Sequence, residues 1–206
     1  PGSTIEYYNT KDSFAQYLRI TDKLTFYGNL RLGYGNTYKD PESVLSPDHP
    51  RYRADLGGLP SFENFYAGGV SDVRGYRDNT LGPFALSDSV TCPATDKNCR
   101  QPLGGTLKTV ASAEIIFPTP FVKENNDSTR LSAFLDVGQV FSNKLCTIPE
   151  CRKYNGFDID DLRASVGLSF QWRAPVGPIV INFAKPLRDQ PGDDTETIQF
   201  MFGNTF

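Results

Sequence analysis

Side chains capable of covalent or acid–base chemistry are scarce in this chain. It holds one histidine, His49, and four cysteines, Cys92, Cys99, Cys146 and Cys151. A single histidine leaves little for general acid–base work. No Ser–His–Asp set, phosphate loop or metal box is present, so the sequence reads as non-enzymatic, with no cofactor and no metal. The cysteines form two local pairs in polar, turn-rich segments. That spacing predicts two short disulfides, Cys92–Cys99 and Cys146–Cys151, and an oxidising compartment. Free thiols or a zinc site are the alternatives, although zinc favours knuckles with about two to four intervening residues and companion ligands. Asp158, Asp160 and Asp161 have a cation-site pattern that a solvated loop explains better. Asp193-Asp194 reads as an outer turn and His49 as a solvated loop residue. What remains is ion-pair chemistry. Arg31, Lys108, Glu114, Asp136, Arg163 and Arg173 stand within alternating segments, and Arg74 lies in Val73-Arg74-Gly75-Tyr76, inside a long glycine- and proline-rich loop.

The elements that must position these charges alternate with period two, as strands do. In residues 24–34, Leu24, Phe26, Leu30, Leu32 and Tyr34 fall on one face, and Thr25, Tyr27, Asn29 and Arg31 on the other. Residues 107–117, 131–137, 163–173, 179–184 and 197–206 repeat the pattern; residues 5–19 do so less cleanly. The reading is seven strands of about ten residues, the length of a tilted membrane-spanning strand. Connections alternate between short (20–23, 174–177) and long (36–105, 142–161), as periplasmic turns and extracellular loops do. A loop of about seventy residues is foreign to a compact soluble domain. With 15 Phe and 10 Tyr against one Met and one Trp, the composition is β-rich. No convincing amphipathic helix is present; the nearest candidate, 158–164, is short and uncapped at its far end. No run approaches the roughly 18–20 apolar residues of a membrane helix, there is no signal-peptide pattern, and a net charge of −3 does not suggest nucleic acid. The abrupt start at Pro1-Gly2-Ser3-Thr4 looks like a cut. Seven strands leave a barrel incomplete, so either the chain is a fragment or an eighth strand lies in the long loop, where Phe62–Gly69 is the candidate. A soluble β-sandwich with one wetted face is a competing reading.

The motifs resemble the BamA family of outer-membrane assembly barrels. Ser61–Gly69, then Val73–Tyr76, then Asn79-Thr-Leu-Gly-Pro83 match that family's sixth loop in order and spacing. Phe117–Pro120, Phe134–Gly138 and Trp172–Pro178 are further family-like blocks, and the chain ends in an aromatic residue. The resemblance implies an all-β, antiparallel transmembrane barrel fragment, about seven of sixteen strands, spanning 1–206, with 36–105 as a long loop folding into the lumen. By the same mapping, the family's earlier strands and periplasmic POTRA domains would lie outside residues 1–206. Arg74 would then enter a partly dehydrated lumen, where a guanidinium is costly unless paired. Glu114 and Asp136, on the polar faces of strands expected to be neighbours, are the lumen anchors, with bidentate contact pinning the tip. Ile198, Phe200, Phe202, Gly203 and Phe206 would form the C-terminal signal and a weak seam, with Gly203 and Asn204 weakening the pairing. The implied function is folding and insertion of β-barrel proteins into the bacterial outer membrane. Its partners would be outer-membrane lipid, unfolded barrel clients and, through the missing domains, accessory assembly lipoproteins. A two-partner-secretion type polypeptide transporter and a passive porin or receptor barrel are the alternatives.

Overall fold

The computed structural model describes residues 7–38, 59–87, 93–119, 128–142, 154–175 and 177–203. Seven wall strands alternate in direction: β1 (Tyr7–Arg19), β2 (Thr25–Thr37), β5 (Leu107–Phe117), β6 (Thr129–Phe141), β7 (Arg163–Ala174), β8 (Gly177–Arg188) and β9 (Ile198–Phe202). They form one antiparallel sheet in chain order. Although some seventy residues separate β2 from β5, the two pair directly, from Thr25↔Ile116 to Tyr34↔Leu107. The long loop is therefore an insertion between adjacent wall strands. It carries its own hairpin, β3 (Phe84–Leu86) with β4 (Arg100–Pro102). Among the described residues, β1 and β9 each pair with a single wall strand, so the sheet is open.

The two faces of the sheet invert the pattern of a soluble protein. Leu30, Leu32, Leu168, Phe183 and Phe200 stand exposed on the outside. Ser132, Asp136, Ser165, Asn182 and Gln199 are buried on the inside. Alternation places every second side chain in each compartment, as a lipid-facing barrel wall requires, and this arrangement excludes the soluble sandwich. The apolar core lies inside the wall, where Leu59, Phe65, Ala67, Val73, Tyr76 and Leu81 of the loop pack on Val110 and Val140. The wall makes room for them. A Cβ on Gly33 would lie 2.5 Å from the Phe65 ring, so a side chain there would evict it.

One expectation is corrected. Phe62–Gly69 is not a strand. It opens with a 3-10 turn at Ser61–Glu63 and then makes isolated bridges, Phe65↔Gly105 and Ala67↔Leu81. Gly68 and Gly69 then turn the chain at positive φ. Residues 158–164, too short and uncapped for a helix by sequence, make only the single 3-10 turn Ile159–Asp161, and Arg163 already belongs to the β7 ladder.

Candidate functional site

Strands β5 and β6 place Glu114 and Asp136 on the inner face, and the loop tip brings Arg74 between them. Arg74 Nε and Nη2 donate to the two Asp136 oxygens at 2.7 Å each. Its Nη1 lies 2.6 Å from Glu114, and its backbone N–H donates to Asp136 at 3.1 Å. The guanidinium also stacks 3.6 Å from the centre of the Phe134 ring, a cation–π contact from the same face of β6. Glu114 is completed by Arg130 at 3.0 Å and the Ser132 hydroxyl at 3.1 Å. Burial alone would lower the Arg74 pKa, but the carboxylates of Asp136 and Glu114 outweigh it and the net shift is upward. A buried arginine is tolerable when its charge and donors are matched in this way.

The tip carries a second clamp of opposite polarity. Asp72 accepts from Arg31 of β2 at 2.8 Å and Lys108 of β5 at 2.7 Å. Loop base on wall acids and loop acid on wall bases, two residues apart, together fix the rotation of the tip as well as its depth. Gly75 follows at φ +89°, and a Cβ there would lie 3.0 Å from the Ala184 Cβ. Both its conformation and its closeness to β8 call for glycine. The Tyr76 hydroxyl reaches the Arg188 carbonyl at 2.8 Å and the Ala164 carbonyl at 3.1 Å. Burial, with the nearby Asp193 charge, pushes the ionisation of this phenol up.

A further cluster at the long-loop end had no signal in the sequence. Asp193, read there as part of an outer turn, has its side chain buried against Arg163 of β7, whose Nε approaches to 2.5 Å. Arg100 of the long loop reaches Asp193 at 3.3 Å and donates to the Pro191 carbonyl at 2.7 Å. Asp194 joins Lys97 and Arg77, at 2.9 and 3.0 Å. Tyr154 packs beside this cluster, edge-on to Phe84, and burial pushes its phenol up to about 12. Asp158 caps the 3-10 turn through the Asp160 N–H, and Asp160 pairs with Arg188. Their local partners account for their placement.

Ile198, Phe200 and Phe202 face outward from β9, and Gly203 follows at positive φ. Phe206 and Asn204 lie outside the described residues. So do His49, Cys92, Cys146 and Cys151; Cys99 is disulfide-bonded. Between the tip and the short-turn end lies a polar cavity of about 590 Å³, lined by Tyr27, Arg31, Arg130, Gln171, Arg173 and Asn182.

An inward loop pinned by an arginine to two inner-wall carboxylates is the geometry implied by the loop motif. A family model described as the Omp85 superfamily domain matches residues 1–206. The chain belongs to the Omp85 superfamily. It is 28% identical to the outer membrane protein assembly factor BamA of Neisseria meningitidis serogroup B over 220 residues, covering 100% of this chain and 25% of that protein. The BamA of Nitratidesulfovibrio vulgaris is 25% identical, over 77% of this chain and 18% of its own length. The crystal structure of Haemophilus ducreyi BamA lacking POTRA domains 1–3 superposes with a TM-score of 0.72 at 25% identity, over 97% of this chain and 35% of that one. The chain thus spans about a quarter or less of these two curated relatives. It is an integral outer-membrane β-barrel segment, as its inverted faces require.

Proposed function

We propose that this chain is the C-terminal part of the barrel of an outer-membrane assembly factor, folding and inserting other β-barrel proteins without enzymatic chemistry. The clamped tip supports this reading most directly. Arg74, Glu114 and Asp136 fasten a long loop inside the lumen, an arrangement that a passive pore does not need. Anchored there, the loop braces the wall while the terminal strand, Ile198–Phe202 with Gly203 and Phe206 beyond it, offers edge hydrogen bonds to an incoming strand. The clients are unfolded barrel proteins, the solvent is outer-membrane lipid, and accessory lipoproteins dock on periplasmic domains outside this chain. The proposed Cys92–Cys99 and Cys146–Cys151 disulfides staple two outer connections. Depleting the full-length protein in its host, while following many outer-membrane barrels by heat-modifiable gel migration, tests the reading. A general loss of folded barrels is expected. Normal assembly with one secreted protein retained would replace it with a dedicated polypeptide transporter.

A further inference from the structure

The ladder between β8 and β9 is short. It runs from Ile179↔Phe202 to Phe183↔Ile198, with one more bond from the Ala184 N–H to the Thr197 carbonyl at 2.9 Å. The reason lies in β8. Backbone N–H groups two residues apart point to the same side of a strand, so the next donor toward β9 after Ala184 would come from residue 186. That residue is Pro186, which has no N–H to give. The chain entering β9 is therefore free to pair elsewhere, and it pairs with the loop tip. Tyr76 and Thr195 form an antiparallel bridge. Arg77 N–H donates to the Asp194 carbonyl, and Glu196 N–H to the Gly75 carbonyl, both at 2.9 Å.

One side chain completes the junction. Gln199 lies on the inner face of β9 and is 2% exposed. Its oxygen accepts from the Gly75 N–H at 3.0 Å, and its nitrogen donates to the Tyr76 carbonyl at 2.8 Å. An amide matches a peptide group because it offers one acceptor and one donor direction together. Here it reads the backbone of the tip as a neighbouring strand would. Asp136 holds the same tip from the opposite side, through the Arg74 side chain and backbone N–H.

We infer that Gln199, with the 194–196 main chain, is a positioning element that couples the docking of the loop tip to the terminal strand. When Arg74 is seated on Glu114 and Asp136, β9 is held; when the tip leaves, β9 loses its inner support and, among the described residues, keeps only its short ladder to β8. The consequence for client insertion rests on the function proposed above, whereas the coupling itself does not.

Amide hydrogen exchange on the full-length protein in lipid, without client, reads the coupling directly. Gln199→Met keeps the shape and removes both hydrogen bonds. It should speed exchange at 75–77 and at 198–202 by about tenfold or more, with heat-modifiable migration confirming a folded barrel. Asp136→Asn, which does not touch β9, should speed exchange at 198–202 as well. That remote response distinguishes coupling from a merely local packing role. Exchange at 198–202 that ignores Asp136→Asn, or exchange at 75–77 that ignores Gln199→Met, would overturn the inference. A parallel client-insertion assay keeps the two readings apart. Coupled exchange with normal insertion removes the insertion role and leaves the coupling, and uncoupled exchange removes the coupling whatever insertion does.

Discussion

At the loop tip, an arginine from the loop meets carboxylates on the wall; at the outer rim, an arginine on the wall meets a carboxylate from a loop. Both pairs are buried. Asp136 and Glu114 sit on adjacent strands, with Ser112↔Asp136 and Glu114↔Phe134 in register, so the wall ladder alone sets the spacing of the two acids. Arg163 is held by β7 as firmly, but its partner Asp193 comes from the β8–β9 connection and is shared with Arg100. The first arrangement is a socket for one residue. The second ties two loops to each other and to the wall. Exchanging the donor side changes what the same chemistry accomplishes: docking in one case, bundling in the other.

The sharpest way to break this comparison is Arg74→Ala. It leaves Asp136 buried without its guanidinium, a loss on the order of 3–5 kcal/mol. Limited proteolysis should cut residues 60–85 much faster, and unchanged sensitivity there would remove the socket. Asp193→Asn should cost less, about 1–3 kcal/mol, because an amide keeps part of the hydrogen bonding to Arg163. Cleavage should rise at 93–101 and 189–194 while 72–76 stays protected. If the tip loosens equally, the two clusters are one unit and the distinction fails. The smallest effect is on pH. The Tyr154 phenol, pushed up to about 12 by burial, ionises first in the unfolded chain, near its ordinary value of 10.0. Its contribution is therefore fully present below about pH 10 and fades as pH rises toward about 12. Tyr154→Phe should flatten the stability profile across that window; an unchanged slope would place the loss of rim stability elsewhere.

The wall strands were legible because lipid outside and a polar lumen inside write opposite demands on alternate residues. The Leu24–Tyr34 pattern became β2, and Arg163–Arg173 became most of β7. The first strand was less legible because its outward row mixes Asp12 and Gln16 with Phe14 and Leu18, as its register with β2 shows. Strand phase and neighbour order put Glu114 and Asp136 on one inner surface, and the resemblance of the Val73–Tyr76 block to a known family's loop singled out Arg74 as their partner. Gln199 and Asp193 could not. A glutamine on a polar face and an acid in a turn are ordinary until a distant backbone arrives, and Gln199 meets Gly75 across 124 positions of sequence.

By itself, then, the sequence determined the strands, their faces and the size of the inserted loop, because these follow from local period and turn chemistry, and it carried the motif by which the loop resembles a known family. Only the tertiary structure decided what the loop touches: that Asp72 is clamped with opposite polarity to Arg74, that Asp193 is a buried hub, and that the strand entering β9 pairs with the tip. Those outcomes depend on long-range contacts between irregular segments, where geometry is set by which groups remain to be paired once the regular ladders have formed.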